Sequence, residues 1–315
     1  MAVKILTRVG IFLLTLFVAS LVVFAFMNLL PGDPARVALG LNADDASVAA
    51  LREKFGLNRP WFVRYVEWIT GMMQGDFGRA WIGDFDLSPQ IWEKLNRTLV
   101  LVLCGMVVAL VIAVPFGIVM AVRHRRPSGA VLSVISQIGV AIPAFGLGLI
   151  LINYLALRVG WFKVGGYTAP QEDFVMFLRQ ITLPALSLGL VQGAVLSRYV
   201  RSAVLDVLKA DYMRTARAKG LTPYQAIIRH GLRNASIPVV TVLGLQLTTL
   251  LVGAVVVERV FVIPGLGDML LTEVANRDLI GVQSIVMVLV FITLLITLIV
   301  ELLYVFLDPR LRSNR

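Results

Sequence analysis

The sequence predicts an all-α integral membrane protein with about six transmembrane helices. Of its 315 residues, 58% are hydrophobic, whereas a soluble globular domain has about 45–50% apolar residues. Charged residues make up only 15% of the chain, and they cluster between long apolar segments. Because roughly 20 apolar residues are enough to cross the hydrocarbon core of a bilayer, each of these segments is a candidate span.

The apolar segments occupy residues 9–30, 98–122, 131–158, 181–201, 236–258 and 282–307. The first stands where a signal peptide would, but it has no small-residue cleavage site, so we expect a retained helix. Small or helix-breaking residues interrupt the third segment, namely Gly139, Pro143, Gly146 and Gly148. They permit either a kink or close helix packing, and we expect packing.

Six spans place both ends of the chain on one side of the membrane, together with the segments 123–130 and 202–235. Counting Arg198 and Arg201 at the adjoining helix end, that side carries 16 of the 29 Lys and Arg residues but only three of the 19 acids. Short cytoplasmic loops are enriched in Lys and Arg, so we expect cytoplasmic termini. The net charge of +10 therefore reflects topology, and nucleic-acid binding is not expected.

The opposite side carries one long segment, residues 31–97, with eight basic and nine acidic residues. A short amphipathic helix is predicted from Asp45 until Gly56 and the following proline break it. Aromatic residues then recur at helical spacing from Trp61 to Ile69. We interpret this second helix as interfacial, because Trp and Tyr favour the headgroup region. A contact surface for an external partner and a lid over the pathway are the alternatives.

Residues 202–235, here called the coupling loop, form a basic polar island between two apolar spans. A helix is predicted through Lys219, and Gly220 ends it because glycine enters the left-handed region without a Cβ penalty. A second helix then begins with Thr222 as N-cap and Gln225 at N3, a capping box. A loop that only fixed topology would need fewer residues, so the pattern predicts a docking surface for a soluble partner.

The sequence lacks the motifs that would make the chain an enzyme by itself. It contains no G-x-x-x-x-G-K-[ST] phosphate loop, no H-E-x-x-H and no G-x-S-x-G. The single cysteine, Cys104, lies in an apolar segment, and the two histidines are far apart. We therefore predict no catalytic residue, no metal and no cofactor bound by this chain.

Polar residues inside the spans are few, and they comprise Gln137, Asn153, Gln192, Gln246 and Glu301. Such residues usually face the interior of a helix bundle, where hydrogen bonding between helices is the simpler explanation. Lining a polar translocation pathway is the functional alternative, and it suits Gln137, Gln192 and Gln246 best.

Residues 211–220 (DYMRTARAKG) and 229–235 (RHGLRNA) resemble the cytoplasmic loop, or EAA motif, of bacterial ABC import permeases. More narrowly, they are similar to the dipeptide/oligopeptide/nickel permease family. Further segments that match this family are residues 29–34, 51–60, 75–78, 257–267 and 307–310.

The chain departs from the general importer motif in two places. Arg214, Thr215 and Ala216 occupy its Glu-Ala-Ala positions, and Arg233 stands where proline is usual. Both departures fit peptide permeases better than sugar importers. The resemblance implies that the ATPase-coupling residues are Asp211, Arg214, Thr215, Ala216, Arg217, Lys219, Gly220, Thr222, Pro223, His230, Arg233 and Asn234.

The resemblance also implies the organisation of the chain and its partners. A first helix (1–30), an extracytoplasmic segment (31–97), a transmembrane domain (98–307) and a cytoplasmic tail (308–315) are expected. The chain would be a pore-forming permease subunit in the bacterial inner membrane that translocates di- or oligopeptides. It would pair with a second homologous permease and with two cytoplasmic ABC ATPases that bind ATP and Mg²⁺. An extracytoplasmic binding protein would deliver the ligand.

Several alternatives stay open at this point. Nickel, glutathione or another small ligand competes with peptide as the substrate of the same importer class. An ion-coupled secondary transporter would work without an ATPase, although the scarcity of ionisable groups at mid-membrane argues against it. A membrane enzyme or assembly factor would need a polar catalytic cluster.

Overall fold

The computed structural model describes residues 2–29, 33–40 and 43–307. In this part, the chain forms thirteen α-helices: α1 (Ala2–Leu29), α2 (Pro34–Leu39), α3 (Asp45–Lys54), α4 (Trp61–Met73), α5 (Ser88–Val122), α6 (Pro127–Ala141), α7 (Ala144–Leu151), α8 (Phe174–Leu208), α9 (Asp211–Ala218), α10 (Pro223–Ala226), α11 (Leu232–Phe261), α12 (Leu266–Asn276) and α13 (Leu279–Leu307). Two π-helical segments continue helices: Ile152–Arg158 follows α7, and Ile227–Gly231 joins α10 to α11. The predicted tail 308–315 and part of the motif at 29–34 lie outside the described residues.

Five helices are long and apolar enough to cross a membrane, and they are α1, α5, α8, α11 and α13. A sixth candidate span consists of α6 followed by the segment from α7 to Arg158, with a bend of 94° between the two parts. The predicted all-α membrane protein with about six spans is confirmed.

The bend in the sixth candidate span corrects the expectation that its small residues serve packing alone. Ile142 is extended (φ −85°, ψ 124°), as expected for a residue that precedes proline, and α7 starts after Pro143. Close packing occurs as well, because a Cβ on Gly148 would lie 2.8 Å from Phe261 Cε2. The residues of this segment therefore provide both a turn and a tight contact.

The chain divides into two compact units, and the first contains residues 99–263 with parts of the two terminal helices. In this unit α8 packs against α6, α7 and α11. Ser136 of α6 donates a hydrogen bond of 2.9 Å to the carbonyl oxygen of Ala194, and its Oγ lies 3.1 Å from Ser197 Oγ. Small and hydroxyl-bearing residues at helix contacts are typical of membrane proteins.

The second unit contains residues 6–98 and 264–295. In this unit α4 packs against α1: Tyr65 Oη and Ser20 Oγ share a hydrogen bond of 2.8 Å, and the rings of Phe24 and Tyr65 meet edge-on. Trp61 and Phe62, in the first turn of α4, are exposed. One face of α4 is thus anchored, and the exposed aromatic side chains agree with either an interfacial helix or a partner contact.

The predicted single helix over residues 202–219 is wrong, because α8 and α9 are separate. Ala210, which lies between them, is extended (φ −67°, ψ 147°). The break turns α9 so that Met213 and Ala216 are buried. Asp211 gains a position in the first turn of α9, where the helix dipole favours a negative charge. Tertiary burial therefore overrides a sequence that is locally compatible with continuous helix.

Gly189→Val should destabilise the first unit. A Cβ at Gly189 would lie 2.5 Å from Val108 Cγ1 and 2.8 Å from the carbonyl oxygen of Gly105, and overpacking of this kind costs about 1–3 kcal/mol. The thermal midpoint of the detergent-purified protein measures the effect. Gly10→Val is the control, because nothing lies within 4 Å of a Cβ there; an equal loss in both variants would contradict the packing account.

Glu273→Gln should stabilise the second unit at neutral pH. Burial and the nearby charge of Asp278 raise the pKa of Glu273 above its ordinary value of 4.5, and Lys94 acts in the opposite direction. The Glu273 carboxylate therefore binds a proton more tightly in the folded protein than in the unfolded chain. The resulting stability is complete below pH 4.5 and is lost as the pH rises through the raised pKa.

The measurement is the difference in thermal midpoint between Glu273→Gln and the unmodified protein at two pH values. We expect a higher midpoint for the variant at about pH 7 and no difference at about pH 4. Glu172→Gln is the control, because Glu172 is exposed, and it should change the midpoint at neither pH. A gain for Glu273→Gln that is the same at both pH values would refute the linkage.

Candidate functional site

The coupling loop has the helix ends that the sequence predicts. Gly220 follows Lys219, the C-cap residue of α9, and has φ +91°. The backbone N–H of Gln225 donates to Thr222 Oγ1 at 3.3 Å, and the backbone N–H of Thr222 donates to Gln225 Oε1 at 3.0 Å. Pro223 lies in the first turn. The residues from Gly220 to Gln225 therefore determine by themselves where α9 ends and where α10 begins.

An apolar cluster, here called the loop cluster, fixes the coupling loop to the ends of α5, α8 and α11. Its buried residues are Ile118, Ala121, Val200, Ala203, Val204, Met213, Ala216, Ala226, Ile227, Ala235 and Val239. Met213 and Ile227 are fully buried. Gly231 lies so close to them that a Cβ there would be 2.9 Å from Ile227 Cδ1 and 3.6 Å from Met213 Cε. A displacement of the loop would therefore be transmitted to all three spans.

A hydrogen bond adds a polar link between the two halves of the coupling loop. Asn234 Nδ2 in α11 donates to Tyr212 Oη in α9 at 2.9 Å. Asn234 is a predicted coupling residue, and Tyr212 is a partner that the sequence pattern did not single out. The bond ties α9 to the start of the following span.

The outer side of the coupling loop is basic. Its exposed cationic or titratable side chains are Arg214, Arg217, Lys219, Arg229, His230 and Arg233. Arg214 has only a loose ion pair with Asp211, at 3.6 Å, in which both side chains are mostly exposed. Such surface pairs contribute little, so the positive charges stay available for acidic groups of a docking partner.

The structure places the twelve predicted coupling residues in three environments. Ten are exposed, Pro223 is partly buried, and Ala216 is buried with 7% of its surface exposed. Ala216 belongs to the loop cluster, so it supports α9 from inside. It does not provide a contact surface in this conformation, which corrects its expected role.

Two exposed apolar side chains of the coupling loop were not predicted as site residues. Tyr224 is 50% exposed and Ile228 is 47% exposed. They stand four residues apart, which places them on the same side of a helical turn. In the structure Ala226 and Ile227 take the buried side, which leaves the other two outward, and the sequence alone gives no signal for this choice. Exposed aromatic and aliphatic residues of this kind are typical interface anchors.

The three glutamines that suit a pathway are not brought together. Gln192 and Gln246 are both buried, and Gln192 Nε2 donates a hydrogen bond to Gln246 Oε1, which joins α8 to α11. Gln137 is exposed on α6 and lines a separate cavity. In this conformation, the buried pair serves helix association.

The second unit contains a cavity of about 700 Å³, which is within the size range of ligand sites. An ion pair of 2.9 Å between Arg52 and Asp33 lies in its wall. Arg64 also lines the cavity, and its side chain forms no hydrogen bond or ion pair with the described residues. Burial lowers the pKa of Arg64, but a guanidinium stays charged in proteins. A cation whose side chain has no partner among the described residues therefore borders this cavity.

Comparison with known proteins identifies relatives along the whole chain. The family model for the "Binding-protein-dependent transport system inner membrane component" matches residues 113–313, and the model for the N-terminal part of such components matches residues 1–83. The glutathione transport system permease protein GsiC of Escherichia coli (strain K12) is 38% identical over 298 residues, which are 95% of each chain. GsiC of Salmonella typhi has the same identity and coverage.

A solved structure shares the fold. A chain of the MetNI methionine ABC transporter, in an inward-facing conformation, aligns with a TM-score of 0.57 at 20% identity, over 69% of this chain and 96% of that chain. At this identity the likeness shows the fold alone. The family match covers more than half of the chain, and the GsiC relatives cover nearly all of it. The chain therefore belongs to the family of binding-protein-dependent transport system inner membrane components, the pore-forming permeases of ABC importers.

Proposed function

We propose that this permease imports small peptides, with glutathione or a similar short peptide as the first candidate. The observation that carries the proposal is the identity of 38% with the glutathione permeases along 95% of both chains. Membership of the ABC importer family replaces the ion-coupled transporter and the membrane enzyme as explanations. Nickel stays a competing ligand, and the uptake experiment below separates it from peptide.

In this proposal, two cytoplasmic ATPases dock on the coupling loop, and a second permease completes the pore. The ATPases bind ATP and Mg²⁺, and this chain supplies the contact surface. Exposed basic residues around Arg214 and Arg217, with the apolar pair Tyr224 and Ile228, support such a surface. The loop cluster would then carry the motion of the ATPases into α5, α8 and α11.

The proposed orientation places the coupling loop and both termini in the cytoplasm of a bacterial cell. Its support is the concentration of Lys and Arg in the segments on that side. Residues 31–97 then face the extracytoplasmic side, where a binding protein would deliver the ligand. Within this segment Arg64 is a candidate contact for a carboxylate, because it borders a cavity and its side chain has no partner among the described residues.

For the pathway, Gln192 and Gln246 are the candidates that the proposal retains. They bond to each other in this conformation, so either side chain would reach a ligand only in a state in which the pair separates. Alternating states of this kind are expected of an importer whose helices move as packed bodies.

The test of the proposed function starts with purification of the tagged chain from its native membrane in mild detergent. Mass spectrometry should find a second permease and ATPases in the eluate. The complex is then reconstituted in liposomes with its binding protein, and uptake of labelled glutathione, a dipeptide and Ni²⁺ is measured. ATP-dependent peptide uptake supports the proposal; uptake of Ni²⁺ alone, or a chain that purifies without an ATPase, contradicts it.

Gly220→Val should uncouple the ATPases without unfolding the chain. A Cβ at this position meets nothing within 4 Å, so the penalty comes from the backbone, where a left-handed conformation costs roughly 1–2 kcal/mol for a residue with a Cβ. We expect normal membrane insertion and transport-linked ATPase activity reduced by about tenfold. Gly220→Asn is the control, because Asn tolerates this region better. Full activity of the valine variant would place the docking contact elsewhere.

Reversing two charges on α9 should weaken the recovery of the ATPases. Arg214→Glu with Arg217→Glu changes only exposed side chains, and like charges across an interface disfavour association. We expect about tenfold weaker binding of the ATPases, measured by titration of the purified permease in detergent. The control is Arg125→Glu with Arg126→Glu, which reverses two exposed charges outside the coupling loop. Equal weakening by both pairs would indicate a nonspecific charge effect.

A further inference from the structure

The first unit contains a second cavity, of about 480 Å³, between α6 and the end of α8 that leads into the coupling loop. Its polar wall consists of Ser133 and Gln137 from α6 with Arg198, Tyr199, Arg201 and Ser202 from α8. None of the described residues that line it is acidic. The cavity is therefore a positively charged recess with neutral hydrogen-bonding groups around it.

Among the described residues, no acidic group compensates the charge of the two arginines of this cavity. Arg198 and Arg201 stand three residues apart on α8, a spacing at which like charges repel. Within the described residues neither forms an ion pair, and the Nε of Arg201 is buried without an acceptor. Asp206, farther along α8, pairs with Lys209 instead. A buried donor without a partner is unfavourable. An anion between the arginines would therefore reduce the repulsion of their charges and would accept a hydrogen bond from Arg201 Nε.

The cavity lies near the end of α8 that adjoins the coupling loop. With 35 residues, α8 is about 52 Å long and exceeds the hydrocarbon core of about 30 Å. Arg198 and Arg201 precede the last residue, Leu208, by about 15 Å and 10 Å along the helix. The apolar segment that the sequence predicts as a span, residues 181–201, ends at Arg201, so we place both arginines near the headgroup region that borders the hydrocarbon core.

The chemistry of the cavity favours a phosphate that carries no neighbouring cation. Guanidinium groups bind phosphate through two parallel hydrogen bonds, and basic pockets between membrane helices bind anionic headgroups. Beside Gln137, Val134 and Ile138 of α6 are 54% and 57% exposed, which offers apolar surface for acyl chains. A peptide carboxylate would bring an ammonium group that no described residue of the cavity could neutralise.

We propose that this cavity binds the phosphate of an anionic phospholipid from the leaflet on the side of the coupling loop. The two arginines bind the phosphate, and Gln137 donates a hydrogen bond to the headgroup. This assignment replaces the pathway role that the sequence suggested for Gln137. The bound lipid links α6 to α8 at a point just before the break between α8 and α9. The proposal does not depend on which ligand the importer carries.

The first test measures lipid retained by the intact complex, purified in mild detergent from its own membrane. Native mass spectrometry and phosphorus analysis of extracted lipid should show at least one fewer anionic phospholipid per permease in Arg198→Gln with Arg201→Gln. The matched control is Arg125→Gln with Arg126→Gln, which removes the same charge from exposed positions outside the cavity and should retain its lipid. Equal retention in the cavity variant and the unmodified complex overturns the proposal.

The second test uses nanodiscs of phosphatidylcholine alone or with phosphatidylglycerol as the minority lipid. Phosphatidylglycerol should raise the thermal midpoint of the unmodified complex by several degrees and should have no such effect on the double glutamine variant. Arg198→Lys with Arg201→Lys keeps the charge and should recover most of the shift, which a purely structural role of the guanidinium groups would not allow.

The outcomes also separate lipid from transported ligand. A midpoint of the unmodified complex that does not respond to phosphatidylglycerol overturns the proposal even if the glutamine variant cannot be purified. If a dipeptide, and not phosphatidylglycerol, raises the midpoint only when both arginines are present, the cavity belongs to the transport pathway, and the lipid assignment is wrong.

Discussion

Burial of the loop cluster is the interaction on which the position of the coupling loop depends. Helices inside a bilayer gain little from burying apolar side chains, because lipid tails are as apolar as leucine. The coupling loop, as a polar island beyond the apolar spans, is solvated by water, so burial of Met213 and Ile227 does provide hydrophobic stabilisation, about 1.5–3 kcal/mol for each side chain. The hydrophobic effect therefore holds the coupling loop to its spans, whereas it contributes little to the packing of the spans against one another.

This arrangement gives the two faces of the coupling loop different chemistry. The inner face is apolar and closely packed, and the outer face carries arginines with Tyr224 and Ile228. Because the inner packing leaves little free volume, an external force on the outer face moves the loop as a body. Contacts such as that of Gly148 with the Phe261 ring bring helices of the bundle close together, so these helices are also expected to move as one body. Motion is therefore expected between packed groups of helices, as rigid-body rearrangement.

Features set by local sequence could be predicted, and features set by distant contacts could not. The left-handed Gly220 and the capping box of Thr222 and Gln225 depend on neighbouring residues alone, and the structure has both. The break at Ala210 has no local signal, since it follows from the burial of α9 against other helices. The pairing of Gln192 with Gln246 joins residues 54 positions apart, and sequence could supply only their polarity.

In the candidate site too, local sequence predicted some residues, and contacts with distant residues decided the others. Exposed charged residues of the coupling loop were predicted, because charge in a membrane protein concentrates at the ends of spans. Ala216 was assigned to the surface by its place in a motif, and the structure buries it. Tyr224 and Ile228 were overlooked, because an apolar residue in a short helix is normally predicted to be buried. Only the structure shows that their neighbours occupy the buried side instead.

The π-helical turn at Ile227–Gly231 has a consequence for the rotational phase of α11. Leu232 N–H bonds to the carbonyl oxygen of Ile227, one residue farther back than in an α-helix, so the turn holds one additional residue. One residue corresponds to about 100° of rotation about a helix axis. The additional residue therefore rotates α11 relative to α10 by about this angle, compared with a continuous α-helix. The π-helical turn therefore sets the rotation of α11 about its own axis. The number of residues between Thr222 and α11 determines which face of α11 packs against the other helices.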